Sequence, residues 1–157
     1  MDDIGYMALA LREARRAARV GEIPVGAVVV AGRPLEILGA GHNLSITRSD
    51  PTAHAEVVAL RRAARRARNH RLTGASMYVT LEPCLLCLGA IVQARLARVI
   101  YGAADPKSGA LAAARLPPVA EILHHRFETA GGVMAEESAA LLRGFFSARR
   151  LARHSRA

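Results

Sequence analysis

The sequence predicts an α/β fold in three layers, with one mixed five-stranded sheet between two layers of helices. Three observations predict it. Helix-like and strand-like stretches follow in the order helix, strand, strand, helix, strand, helix, strand, strand, helix. Val25–Val30 is an apolar run rich in β-branched valine, as in a strand covered on both faces. A chain of 157 residues with 52% apolar content has the size of one domain and enough apolar residues for its core, so a single unit is expected over 1–157.

Each element has a local reason. Residues 4–20 read as a helix in which Ile4, Met7, Ala8, Leu11, Ala14 and Ala18 make an apolar stripe. Arg12, Arg15, Arg16 and Arg19 lie on the other side, and Gly21 ends the helix. After the valine strand, Gly32-Arg33-Pro34 turns the chain into a second strand near 35–40. Residues 42–52 read as a loop that exposes Asn43. Asp50 suits an N-cap and Pro51 a first helical position, so a helix is expected from Pro51 to about Arg68. Its arginine-rich tail, 61–66, reads as a solvated face.

Ser76–Thr80 is the third strand. Pro83 opens the next helix, which runs to about Arg95, and Arg98–Tyr101 is the fourth strand. A loop over 102–109 holds Asp105 and the only lysine, Lys107. Phe127–Ala130 is a short fifth strand. The closing helix runs from Met134 to about Arg153, with Leu141, Leu142, Phe145 and Phe146 on one side and Arg143, Arg149, Arg150 and Arg153 on the other.

The totals narrow the function. A formal net charge of +9 favours polyanionic partners, although a composition rich in Arg and Ala gives the same excess without a functional cause. Two cysteines, both in one motif, leave none for a disulfide framework and suit a reducing cytoplasm. No stretch is long and apolar enough to span a bilayer, and the amino terminus lacks a signal peptide's apolar run. No membrane partner is expected.

The chemistry is concentrated in two motifs, His54-Ala55-Glu56 and Pro83-Cys84-Leu85-Leu86-Cys87. One imidazole and two thiols match zinc ligands, and three protein ligands leave a fourth position for water, as in a catalytic site. Glu56, two residues past the histidine, is the expected proton carrier. Residues two apart on a helix flank do not face each other, so His54 and Glu56 converge only at a helix mouth. Two helix N-termini then face one metal, and their partial positive charge favours thiolate over thiol.

His-x-Glu with Pro-Cys-x-x-Cys is the signature of the zinc deaminases. Glu22–Val30, Asp50–Arg61, Tyr78–Cys84, Gly89–Ile91, Asp105–Gly109 and Glu136–Arg150 narrow the likeness, and the chain resembles the bacterial tRNA-specific adenosine deaminases. The resemblance implies a cytidine deaminase-like fold, one Zn2+ per subunit held by His54, Cys84 and Cys87, and a homodimer. The implied reaction converts the wobble adenosine of an arginine tRNA to inosine, by a zinc-activated hydroxide with Glu56 as proton shuttle. Asn43, Ala55, Asp105, Lys107, Phe146 and Arg150 are the residues it sets against the anticodon stem-loop. Leu86 stands where the family usually has Met, a swap that keeps volume and apolarity. The likeness weakens over 110–123, where Ala112-Ala113 replaces the family's Gly-Ser pair and His124-His125-Arg126 follows.

Two rival functions keep part of this pattern. A deaminase of free guanine, cytosine or cytidine would share the metal residues and Glu56 but would not need a basic closing helix. A zinc-stabilised RNA-binding module would want a fourth ligand, and no third cysteine supplies one. Glu82 is left between two roles, steadying the metal site or capping locally. The apolar run Leu85–Ile91 is left between core and subunit contact.

Overall fold

The computed structural model describes residues 1–32, 36–111 and 123–155. In chain order its elements are α1 (Asp3–Arg19), β1 (Gly26–Ala31), β2 (Glu36–His42), α2 (Ser45–Arg48), α3 (Ala55–Ala67), β3 (Ser76–Leu81), α4 (Leu85–Ala94), β4 (Arg98–Ala103), β5 (Glu128–Ala130) and α5 (Ala135–His154). The strands form one five-stranded sheet in the order β2-β1-β3-β4-β5. β1 runs antiparallel to β2 and β3, whereas the β3–β4 and β4–β5 pairs are parallel, so the sheet is mixed as expected.

The side-chain period of two divides the core between the sheet's faces. Ala27, Val29, Met77, Val79 and Val99 pack with Ala55, Ala59 and Ala63 of α3 and with Leu88 and Ile91 of α4. Val28, Val30, Tyr78 and Ile100 point the other way, onto Tyr6, Met7 and Ala10 of α1. α5 joins α1 on that second face, against β4 and β3. The approach of α3 to β2 is close enough that a Cβ on Gly39 would come within 2.4 Å of the Ala59 carbonyl.

The structure corrects several local expectations. The buried line of α1 is Tyr6, Met7, Ala10, Leu11, Ala14 and Ala17, with Glu13 among them, while Ile4 is 61% exposed. Tyr6 packs on Tyr78 with ring centroids 5.1 Å apart, and this contact turns the helix so that Tyr6 rather than Ile4 faces inward. The loop at 42–52 contains the short helix α2.

The helix expected to open at Pro51 begins at Ala55 instead, with His54 as its N-cap. Asp50 is spent on a local turn, where its Oδ1 accepts from Thr52 N at 2.8 Å and from Thr52 Oγ1 at 2.7 Å. The cysteine helix likewise starts after Pro83: Cys84 is its N-cap, and the Pro83 carbonyl accepts from Ala110 N at 2.9 Å. Ala112 and Ala113, and most of the weakened stretch around them, lie outside the described residues.

Candidate active site

His54 and Cys84 end extended backbone at the mouths of α3 and α4, and neither side chain makes a capping hydrogen bond. Both are therefore free to face a common point. One helical turn further along α4, Cys87 faces the same way. His54 Nδ1 lies 3.5 Å from Cys84 Sγ and 3.4 Å from Cys87 Sγ, and the sulfurs are 3.8 Å apart. A tetrahedral centre with metal–sulfur bonds of about 2.3 Å and a metal–nitrogen bond of about 2.0 Å needs roughly 3.8 Å between sulfurs and about 3.6 Å from nitrogen to sulfur. The three donor atoms are thus already spaced for one tetrahedral cation, and they form a compact group within 4.8 Å.

Electrostatics at the cluster point the same way. The Cys84 thiol is lowered to about 4 by hydrogen bonding with Cys87 and with His54. The Cys87 thiol is pushed up, by its bond with Cys84, by burial and by the nearby Glu56. His54 is raised, chiefly through its bond to the Cys84 sulfur. Without a cation the cluster holds one thiolate, and the second ionises when a cation replaces its proton. Glu56, the second residue of α3, is only 4% exposed, and burial raises its carboxyl. A carboxyl raised in this way takes up a proton more readily than an exposed one, as a proton carrier requires.

This group sits in a cavity of about 390 Å³. His54, Glu56 and Cys84 line it together with Asn43, Ser45, Asp105 and Ser108, and Ile23, Val25, Ile46, Pro51 and Leu81 supply apolar wall. Asn43 is not the exposed loop residue expected: it is 8% exposed, because α2 folds over it and Glu22 takes its amide. Its Nδ2 donates to Glu22 Oε2 at 3.2 Å, and Thr47 N donates to Glu22 Oε1 at 2.6 Å. Burial alone would raise the Glu22 carboxyl, but the bonds from Thr47, Ile46 and Asn43 outweigh it and hold Glu22 below the usual carboxylate range.

Glu82 performs a similar service on the opposite wall. It is 3% exposed, and its two oxygens accept from Asp105 N at 3.0 Å and Leu111 N at 2.9 Å. It holds the 105–111 loop, a long-range role outside the two that the sequence offered. Gly109 makes that approach possible, since a Cβ there would lie 2.3 Å from the Glu82 carboxylate. Neither buried glutamate carried a metal or catalytic motif in the sequence. Their only signal was an acid near the end of a core strand, Glu22 four residues before β1 and Glu82 directly after β3.

The remaining expected contacts are more dispersed. Asp105 lines the cavity, but its Oδ1 accepts from Lys107 N and Ser108 N, each at 3.0 Å. Lys107 is exposed beside that turn, and Ala55 is fully buried at the start of α3. Phe146 and Arg150 lie elsewhere, lining a cleft of about 210 Å³ on α5 with Arg149 and Arg153. Arg149 there sits 5.3 Å from the ring centroid of Phe145. The apolar run of α4 divides: Cys87, Leu88 and Ile91 are buried, while Leu85 and Leu86 are 61% and 43% exposed.

Comparison with known proteins agrees with this site. Residues 1–150 match the MafB19-like deaminase family. The tRNA-specific adenosine deaminase of Haemophilus influenzae is 46% identical over 148 residues, covering 94% of this chain and 85% of that protein. A structure solved in studies of A-to-I editing by tRNA:A34 deaminases at the wobble position superposes with a TM-score of 0.80 at 40% identity, covering 88% of this chain and 99% of that one. A guanine deaminase from Bacillus subtilis superposes with a TM-score of 0.62 at 38% identity, over 66% of each chain. With donor spacing, buried carboxyl and sequence in agreement, the chain belongs to the MafB19-like deaminases and, among them, to the tRNA-specific adenosine deaminases.

Proposed function

We propose that the protein is a zinc-dependent hydrolase that converts the wobble adenosine of a tRNA anticodon loop to inosine. The observation that carries this reading is the buried Glu56 carboxyl beside three donor atoms spaced for one cation, at a cavity of about 390 Å³. When bound by His54, Cys84 and Cys87, zinc supplies a Lewis acid that makes water acidic near neutral pH.

The chain's own residues supply the rest. Glu56 accepts one proton from the attacking water and passes it to N1 of the adenine ring, then takes the second from the new C6 hydroxyl and delivers it to the departing amine. The raised proton affinity of its carboxyl suits both directions of transfer. Asn43, its amide fixed by Glu22, recognises the base, while Asp105 and the loop pinned by Glu82 close the other side. Ala55, fully buried, backs the site from the core side. Lys107 and the Phe146–Arg150 cleft of α5 bind flanking RNA, by phosphate pairing and base stacking.

The unit spans 1–157 and works as a homodimer in the cytoplasm, with one zinc per subunit and the exposed Leu85 and Leu86 in the subunit contact. Among the described residues no helix is long and apolar enough to cross a membrane. The test is mass-detected inosine in a defined anticodon stem-loop, run beside a chelated control and beside free nucleobases and nucleosides. Inosine formed only without chelator supports the reading. Turnover of free bases or nucleosides alone defeats it in favour of a small-molecule deaminase.

A further inference from the structure

A ligand histidine usually gives its second ring nitrogen to a carboxylate or a carbonyl, which fixes the direction of the ring. His54 is held differently. Its Nδ1 faces the two sulfurs, and among the described residues its Nε2 has no hydrogen-bond partner. The aim of the ring is therefore set from the backbone that carries it.

That backbone is secured in another way than at the cysteines. Cys87 lies within α4, and Cys84 is bridged to Gly109 of a separate segment. His54 has its helix on one side only, where its carbonyl accepts from Val58 N at 2.9 Å. On the other side its N–H donates to the Thr52 carbonyl at 2.8 Å. Thr52 is held in turn by Asp50, whose Oδ1 accepts from both its N–H and its hydroxyl. Ala53, between Thr52 and His54, is secured separately, by Leu44 N on its carbonyl at 2.9 Å. Asp50, Thr52 and His54 thus form one chain of alternate residues that ends at a donor atom. The Arg61 guanidinium lies 3.7 Å from Asp50 Oδ2, but both groups meet solvent, and such a pair contributes little.

A ligand that must be ordered at the moment of binding lowers affinity, and one fixed beforehand does not. We propose that Asp50 is a positioning residue for the metal site: through Thr52 it fixes the turn before α3, holds His54 Nδ1 beside Cys84 and Cys87, and so raises the affinity for zinc. The proposal rests on the reading of His54, Cys84 and Cys87 as a zinc site. It adds to that reading a residue that touches neither the cation nor the substrate.

The experiment measures the zinc dissociation constant of metal-stripped protein by competition with a chromophoric chelator. Loss of a group that bonds a metal ligand directly weakens metal binding by about 10- to 100-fold. Asp50 acts one residue further back, so Asp50→Ala should weaken zinc binding by about 3- to 10-fold. Asp50→Asn keeps an acceptor oxygen for Thr52 and should bind zinc as the wild type does. Unchanged zinc affinity in Asp50→Ala, even with a lowered melting temperature, would overturn the proposal and leave Asp50 a purely structural role. Asp50→Asn as weak as Asp50→Ala would overturn it too, because charge and not the Thr52 bonds would then be at work. Should Asp50→Ala fail to fold, Thr52→Val loses only the hydroxyl bond and should weaken zinc binding by about 2-fold, and an unchanged constant there counts equally against the proposal. Wild-type protein that binds no zinc would end the metal reading itself, an outcome visible before any variant is made.

Discussion

α1 and the two helices that carry the donor cluster begin on similar backbone and use it differently. Asp2, the N-cap of α1, has ψ −179°, and its carboxylate accepts from Gly5 N at 2.9 Å. His54 and Cys84 hold the same position on α3 and α4 with ψ 155° and 177°, yet neither makes a side-chain cap bond. A missing cap costs about 0.5–2 kcal/mol per helix. What the chain gains is two ligands aimed at one point from two helix mouths, where the partial positive charge also favours thiolate. Capping has been given up at two positions whose side chains face the donor cluster instead.

The largest break in this comparison comes from Glu56, the acid two residues past His54. Glu56→Gln keeps size and leaves both helix starts intact, so metal content and melting temperature should hold. Loss of the proton carrier should lower kcat by about 10²- to 10⁴-fold. Elemental analysis beside an inosine assay checks this, and near-normal turnover in a metal-loaded variant removes Glu56 from the mechanism.

The two cysteines should separate in metal-stripped protein. Cys84 is lowered to about 4, so its thiolate favours the folded state fully above the ordinary thiol range, and that contribution fades as pH falls through about 4. Cys87 is pushed the other way and is fully buried. Iodoacetamide at about pH 6 should therefore label Cys84 and spare Cys87, since only a thiolate reacts. Restored metal should suppress the labelling. Equal labelling of both residues in peptide mass maps would contradict the charge arrangement described above.

The sequence revealed the ligands more clearly than the walls, for a physical reason. His54, Glu56, Cys84 and Cys87 are rare residue types at spacings that one cation imposes, so their pattern survives in one dimension. The strands were legible because Val28–Val30 and Met77–Val79 bury both faces. Glu22 and Glu82 were not, because each bonds residues more than twenty positions away, and only the fold brings those together. Asn43 was misread as exposed for the same reason. The starts of α3 and α4 were set a few residues early because Asp50 and Pro83 satisfy the usual opening rules. The structure instead engages Asp50 with Thr52 and the Pro83 carbonyl with Ala110.

Those buried glutamates offer a smaller break. In Glu82→Gln one oxygen becomes an amide, so either Asp105 N or Leu111 N meets a donor in place of an acceptor. The loss should be about 1.5–3 kcal/mol, the usual worth of a hydrogen bond to a charged group. Faster hydrogen exchange confined to 105–111, with unchanged metal content, is the expected signature. Exchange that rises instead at the cysteine cluster would mean that Glu82 acts on the metal site.

The smallest effects test the comparison of helix starts directly, and they should have opposite signs. Asp2→Ala removes a working cap and should lower stability by about 0.5–2 kcal/mol. His54→Asn places a good capping residue on backbone already extended for it, so in metal-stripped protein it should raise stability by up to about 1 kcal/mol. The same substitution removes a ligand and abolishes the metal-linked gain in the loaded protein. One competing loss must be separated, because His54 also pairs with the Cys84 thiolate. In a Cys84→Ala background that pair is absent, and the cap effect stands alone. Denaturant midpoints of the two stripped variants then decide the matter. If His54→Asn destabilises under those conditions, the uncapped start of α3 is not a concession to metal binding.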